Sequence, residues 1–274
     1  MVHISAFADE IDPDPVVQLN VLAEHAIRHV EFRSILGKNV LDLDDDDHAS
    51  FRALMRDRGV TLSAIGSPIG KIAITDPFEP HIERFEKALE LALFYEAPRV
   101  RVFSFYIPQG DDPGNHRGEV IRRMATLAEI AAEQGVTLFL ENEKGIYGDV
   151  AERVLDIIEA VDSPALGSAF DPANFLEVGE SIENAWNKLR EHVIHFHVKD
   201  YDTLTHKNVE AGLGAGEIAG LIADLVARGF DGFCTLEPHL IVAEKSYGFT
   251  GPDRFGDAAR ALKGELDRVG VAYR

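Results

Sequence analysis

Short β-rich runs alternate with longer amphipathic stretches from one end of the chain to the other. The runs VHISAF (2–7), HVEFR (29–33), VTLSAI (60–65), RVRVFS (99–104), VTLFLE (136–141), ALGSAF (165–170), VIHFHV (193–198) and GFCTLE (232–237) have the length and residue types of strands. Stretches near 14–26, 48–58, 78–96, 117–134, 149–160, 181–190, 216–228 and 253–268 carry helical spacing. Gly59, Gly135 and Gly229 stand between a helical stretch and the following strand, where a left-handed residue ends a helix. Eight strand–helix alternations predict an α/β fold, a closed parallel (β/α)8 TIM barrel rather than an open sheet. No linker, low-complexity run or compositional break divides residues 1–274, so one barrel domain is the expected organisation.

Composition agrees with a large buried core. The 274 residues match the roughly 250 of a single barrel, and 46% of them are hydrophobic. No apolar run is long enough to span a bilayer, and MVHISAFADE starts on a strand without a basic leader, so neither a membrane segment nor a signal peptide is expected. The single cysteine, Cys234 in GFCTLE, excludes an internal disulfide and reads as a small buried strand residue. Together these point to a cytoplasmic protein. The net charge of −20 repels a phosphate backbone and argues against nucleic acid as partner. The run Asp44–Asp47 lacks the glycine and ligand spacing of a calcium loop and reads as the acidic start of a helix.

Four side chains able to hold a metal stand at the ends of four successive predicted strands. Glu141 follows VTLFL, Asp171 follows GSAF, His197 lies in VIHFHVKD and Glu237 follows FCTL. They are separated by 30, 26 and 40 residues, about one strand–helix unit each. In a parallel barrel the carboxyl ends of neighbouring strands converge on one mouth. Three carboxylates and one imidazole there suit one divalent ion, Mn²⁺ first, with Mg²⁺ or Co²⁺ as alternatives.

The ordered fragments FLENE, SAFDPANF, HFHVKD, GLGAGEI and CTLEPH, with VEFRSILGKNVLDL near the N-terminus, resemble the sugar phosphate isomerase/epimerase superfamily of xylose isomerase-like barrels. That group includes ketose 3-epimerases and hydroxypyruvate isomerase. The resemblance implies that Glu141, Asp171, His197 and Glu237 hold the ion and that Glu141 and Glu237 double as the acid/base pair. Family members often carry a histidine a few residues past the aspartate, where this chain has Asn174, and an arginine beyond the metal histidine, where it reads HVKDYDTL.

Chemically, a proton next to a carbonyl is weakly acidic, and a metal-stabilised enediolate makes its removal feasible. Returning the proton to the opposite face inverts the centre; returning it to the neighbouring carbon moves the carbonyl. Glu141 and Glu237 are expected to face each other across the mouth from the fifth and eighth strands. Arg33, Asn174, Lys199 and His239 are the substrate-binding candidates, with an Arg33–Glu31 ion pair and a Lys199 pair to Asp200 or Asp202 as the structural alternatives. His195 shares a strand face with His197, one level deeper. Glu143 and Lys71 read as loop residues. The glycines of GLGAGE (212–217) could cradle a phosphate or merely shape the mouth, and Trp186, Phe175 and the FSFY run (103–106) could stack on a sugar or fill the core.

The expected function is isomerisation or epimerisation of a sugar or keto-sugar, with homo-oligomerisation open. The alternative is a lyase or hydrolase that eliminates a leaving group from an oxidised glycoside with the same metal and glutamates. A phosphodiesterase resembling endonuclease IV would need more strand-end histidines and a basic groove, and a non-catalytic barrel would not need both glutamates.

Overall fold

The eight β-rich runs become eight parallel strands that close on themselves. A computed structural model of the chain describes residues 1–241 and 249–274. Its barrel strands are β1 (Val2–Ala6), β2 (His29–Phe32), β3 (Thr61–Ile65), β4 (Arg99–Val102), β5 (Thr137–Glu141), β6 (Leu166–Phe170), β7 (Val193–Val198) and β8 (Gly232–Leu236). Each pairs with its neighbour in chain order, and β1 closes the ring against β8 from Val2↔Gly232 to Ala6↔Leu236. The helices between and after them are α1 (Pro15–Glu24), α2 (Asp45–Arg58), α3 (Glu79–Tyr95), α4 (Arg117–Glu133), α5 (Ala151–Val161), α6 (Ile182–Leu189), α7 (Ile218–Ala227) and α8 (Pro252–Arg268). The (β/α)8 expectation therefore holds, with boundaries shifted by a few residues at most.

Local chemistry explains where the elements start and stop. The acidic run serves α2: the Asp44 side chain accepts from the Asp47 backbone N–H, Asp45–Asp47 occupy the first turn, and Arg56 and Arg58 sit in the last. Gly59 ends that helix at φ +64°, a conformation costly for a residue with a Cβ. Three short elements have too few residues to show a period in the sequence. They are a hairpin of Ser34–Ile35 with Lys38–Asn39, a helix Pro172–Glu177, and a hairpin of Asp200–Asp202 with Lys207–Val209. They follow β2, β6 and β7, at the carboxyl ends that form the mouth.

The layers differ in chemistry. Outside the strands lies the apolar core shared with the helices, where Phe170 packs against Trp186 (5.0 Å) and Phe175 (5.1 Å). Barrel lumens are commonly filled by branched aliphatics; here much of the filling is polar or aromatic. His3, His29 and Phe233 meet within 5.6 Å of one another, Ser5 Oγ lies 2.6 Å from Ser63 Oγ, and His195 stacks on Phe139 at 4.3 Å. Buried polar groups are costly unless paired, so this interior commits the lumen to supporting a polar site. Among the described residues no helix is long and apolar enough to cross a membrane.

Candidate metal centre

Strand ends bring the four candidate ligands together. Glu141 is the last residue of β5, Asp171 follows β6, His197 lies in β7 and Glu237 follows β8. One ligand atom from each falls within 4.8 Å of the other three, and all four residues are buried. His197 Nδ1 faces Glu141 Oε1 at 3.0 Å and Glu237 Oε2 at 3.6 Å. The expectation that the glutamates face each other from opposite walls is corrected. In a ring of eight the fifth strand opposes the first, so Glu141 and Glu237 enter from either side of His197 in the same half of the mouth.

Burial and neighbouring charge act on the three cage carboxylates in different directions. Burial pushes Asp171 up to about 7, with Glu237 and Glu141 adding to the rise against the pull of Lys199. Burial also raises Glu141 and Glu237, but their basic neighbours outweigh it: His197 and Arg101 for Glu141, and Lys199, His239, His197 and Arg33 for Glu237. Both glutamates lie below the ordinary carboxylate range. Asp171 Oδ2 and Glu237 Oε2 are buried without a hydrogen-bond partner among the described residues. Unpartnered carboxylate oxygens beside an imidazole nitrogen fit a divalent ion held by three oxygens and one nitrogen.

Each glutamate also has its own guanidinium. Arg101 Nη1 donates to Glu141 Oε2 at 3.0 Å, while its remaining reach is fixed by Ser67 O and Gly66 O. Arg33 Nη1 donates to Glu237 Oε1 and its Nε to Asp9 Oδ2. Phe7 lies between the two arginines, with guanidinium carbons 4.4 and 4.8 Å from its ring centre and His197 edge-on at 5.3 Å. The anticipated Arg33–Glu31 pair is not formed, because Glu31 turns to His195 and His197. Lys199 pairs with neither Asp200 nor Asp202; its Nζ donates to Asn174 Oδ1 at 2.9 Å and lies 3.5 Å from Asp171 Oδ2. Asn174 in turn donates to Asn142 O.

His239 reaches the mouth in a left-handed backbone conformation, φ +47°. Its Nε2 lies 3.3 Å from Glu10 Oε1 and 3.5 Å from Glu237 Oε1. Glu10 is fully buried, and its Oε2 accepts from the His239 backbone N–H and the Thr250 hydroxyl. Burial pushes the Glu10 carboxyl up to about 8, against the pull of Arg33. The native protein thus keeps a proton that the unfolded chain releases above about 4.5, so this group's contribution to stability falls as pH rises from there through 8. The slope approaches about 1.4 kcal/mol per pH unit inside that window. Urea unfolding of Glu10→Gln is expected to lack this component, so the variant gains on the unsubstituted protein between pH 5 and 8. A constant difference across that range would refute the assignment.

Other candidates fall away from the site. The backbone N–H groups of Gly212, Gly214 and Gly216 all donate to the Asp200 carboxylate, at 2.9, 3.1 and 2.8 Å. The glycine turn is thus filled by an internal anion rather than a phosphate, and a Cβ on Gly214 would lie 2.3 Å from Asp200 Oδ1. Trp186, bonded to Asp224, and Phe175 belong to the outer core. Of the FSFY run, Phe103 lies beneath Arg101 and Lys71 at the mouth, Phe105 packs on Phe78, and Tyr106 is partly exposed. Lys71 pairs with Glu143 at 2.6 Å. Sequence reasoning missed Arg101, Glu31, Glu10 and Phe7. For Glu31 and Arg101 the signal was alternation: in HVEFR and RVRVF a charged residue recurs at every second position of a strand.

Comparison with known proteins follows the same lines. The profile of the xylose isomerase-like TIM barrel family matches residues 19–264. A 3-dehydroshikimate dehydratase of Bacillus anthracis is 22% identical over 213 residues, covering 77% of this chain and 75% of that protein. A fructoselysine 3-epimerase of Escherichia coli O157:H7 is 28% identical over 123 residues, 44% of this chain and 45% of the epimerase. Among solved structures, a xylose isomerase-like barrel from Mycobacterium smegmatis in complex with magnesium superimposes with a TM-score of 0.72. It is 18% identical, over 98% of this chain and 97% of that one.

Proposed function

The chain belongs to the xylose isomerase-like TIM barrel family, and from that premise we propose that it is a divalent-metal-dependent isomerase or epimerase of a sugar or keto-sugar. The observation that carries this reading is the cage itself: two glutamates, each beside its own buried arginine, share one centre with Asp171 and His197. The ion, Mn²⁺ or a neighbour such as Mg²⁺ or Co²⁺, would be held by Glu141, Asp171, His197 and Glu237 and would act as a Lewis acid on the substrate's carbonyl.

The chain's own residues perform the proton transfers. Glu141 and Glu237 both begin ionised, because the neighbouring cations outweigh the effect of burial. One carboxylate takes the proton on the carbon next to the carbonyl; that carboxyl can return it to the adjacent carbon, or the other glutamate, after taking a proton from solvent, can deliver one to the opposite face of the same carbon. Arg33 and Arg101 hold the two carboxylates in place while charge develops. Lys199, fixed between Asn174 and Asp171, offers its remaining hydrogens to a substrate oxygen. His239 Nε2 stands beside Glu237 as a hydrogen-bonding group for a substrate hydroxyl. Phe7 and Phe103 form apolar walls that exclude water.

A second reading, elimination after the same proton removal, is favoured by one observation. The relative matched over 77% of this chain is a dehydratase. The test is a panel of aldoses, ketoses, keto-glycosides and polyhydroxy cyclic ketones incubated in D₂O with metal-loaded protein. Deuterium next to the carbonyl in a rearranged or epimerised product supports the first reading, and loss of water or an alcohol supports the second. Absence of exchange in every compound sinks both.

A further inference from the structure

Beneath the cage lies a carboxylate that the proposed chemistry does not use. Glu31, in β2, is fully buried, and its Oε2 lies 2.9 Å from His195 Nε2 and 3.2 Å from His197 Nε2. His195 is fixed in turn: its Nε2 is 2.8 Å from Thr235 Oγ1, and its ring stacks on Phe139 with an interplanar angle of 6°. His197 sits edge-to-face with Phe7 at 5.3 Å and with Phe139 at 6.1 Å, which orients the plane of its ring. Its two nitrogens therefore face different partners. Nε2 points down at Glu31 and Nδ1 points up into the cage, 3.0 Å from Glu141 Oε1.

We propose that Glu31 is a positioning residue that selects the Nε2–H tautomer of His197 and so makes Nδ1 the metal-ligating atom. Both nitrogens face a carboxylate, Nδ1 Glu141 Oε1 at 3.0 Å and Nε2 Glu31 Oε2 at 3.2 Å, and a carboxylate oxygen accepts from whichever nitrogen carries hydrogen. Only Nδ1 lies among the cage carboxylates, so an ion held there would take its lone pair and leave the one remaining hydrogen on Nε2, bonded to Glu31. A carboxylate behind a ligating imidazole also makes that imidazole a stronger donor, and losing such a partner commonly weakens metal binding by about 10–100-fold. His195, whose Nε2 also meets Thr235 Oγ1, holds Glu31 from the other side. The inference rests on the metal reading of the cage, and it also explains why a strand buried inside the barrel carries an acid at position 31.

The experiment uses Zn²⁺ as a diamagnetic probe and reads binding rather than turnover. Chelator competition measures Zn²⁺ affinity of the unsubstituted protein, Glu31→Gln and Glu31→Leu. Long-range ¹H–¹⁵N spectra of ¹⁵N-histidine-labelled, Zn²⁺-loaded protein read the His197 tautomer, which a purely structural role for Glu31 would leave unchanged. Expected are one tight equivalent, a His197 spectrum with Nε2 protonated and Nδ1 shifted by the ion, and affinity about tenfold lower in Glu31→Gln. Glu31→Leu is expected to fall further, and its spectrum to lose the fixed tautomer. Should Glu31→Leu not fold, the isosteric Glu31→Gln and the spectrum of the unsubstituted protein decide. Unchanged affinity in Glu31→Gln, or a His197 protonated on Nδ1, overturns the inference while leaving the cage intact. A failure of the unsubstituted protein to bind Zn²⁺ overturns the cage reading, and this one with it.

Discussion

Replacing either Glu141 or Glu237 with glutamine is expected to lower turnover by about 10²–10⁴-fold, the usual contribution of a positioned proton carrier. Glutamine keeps the shape and an oxygen able to accept from Arg101 Nη1 or Arg33 Nη1, so the barrel should fold as before. What disappears is the ability to hold a proton. Measurements at saturating ion separate this loss from weakened metal binding. In D₂O the two variants should also differ. Loss of the residue that takes the proton stops both exchange and product formation, whereas loss of its partner stops product while exchange can continue. The pair of variants therefore assigns the base. Turnover within tenfold of the unsubstituted protein in either case would exclude that glutamate as a proton carrier.

How much of this was readable beforehand depended on whether an expectation needed only the position of a residue or also its partner. Strand ends are set by local sequence, and a (β/α)8 ring sends every strand end to one mouth. Glu141, Asp171, His197 and Glu237 could therefore be gathered without coordinates. Partners are set by the twist and tilt of the barrel, which spacing does not encode. Arg33 and Glu31 share a strand face, yet Arg33 leans up to Asp9 and Glu237 while Glu31 stays level with His195. Lys199 and Asp200 are adjacent, yet one enters the mouth and the other turns to the loop of glycines. That loop illustrates the limit well. Three glycine N–H groups converging on one point announce an anion, but spacing cannot say whether it is a phosphate or the chain's own aspartate. Buried Arg101 and Glu10 escaped for a related reason: a charge in a strand or in the short turn after one reads as exposed until its countercharge is found across the barrel.

Asp171→Asn is expected to have the second large effect, on the ion rather than on the proton. The two oxygens of Asp171 have different duties. Oδ1 caps the helix Pro172–Glu177 by accepting from the Asn174 backbone N–H at 3.0 Å, and Oδ2 faces the cage without a hydrogen-bond partner. Asparagine can keep the cap, since it is as good an N-cap residue as aspartate, but it removes a full negative charge from the centre. Loss of a directly coordinating charge should exceed the roughly 10–100-fold cost of losing an outer partner. Elemental analysis after dialysis against a buffered ion would read this as lost occupancy, and added Mn²⁺ should raise the melting temperature of the unsubstituted protein but not of the variant. The metal-free proteins should show the opposite order. Asp171 is raised from 3.8 to about 7, so the native state holds a proton the unfolded chain has released across that window. Its contribution to stability is then lost as pH rises from 3.8 through about 7. At pH 8 without metal, Asp171→Asn should unfold at higher urea than the unsubstituted protein, because it removes a carboxylate whose charge is buried and, in addition, repelled by Glu237 and Glu141. A variant that retained its ion, or that was less stable at pH 8 without it, would mean that Asp171 is held there for its cap and not for a cation.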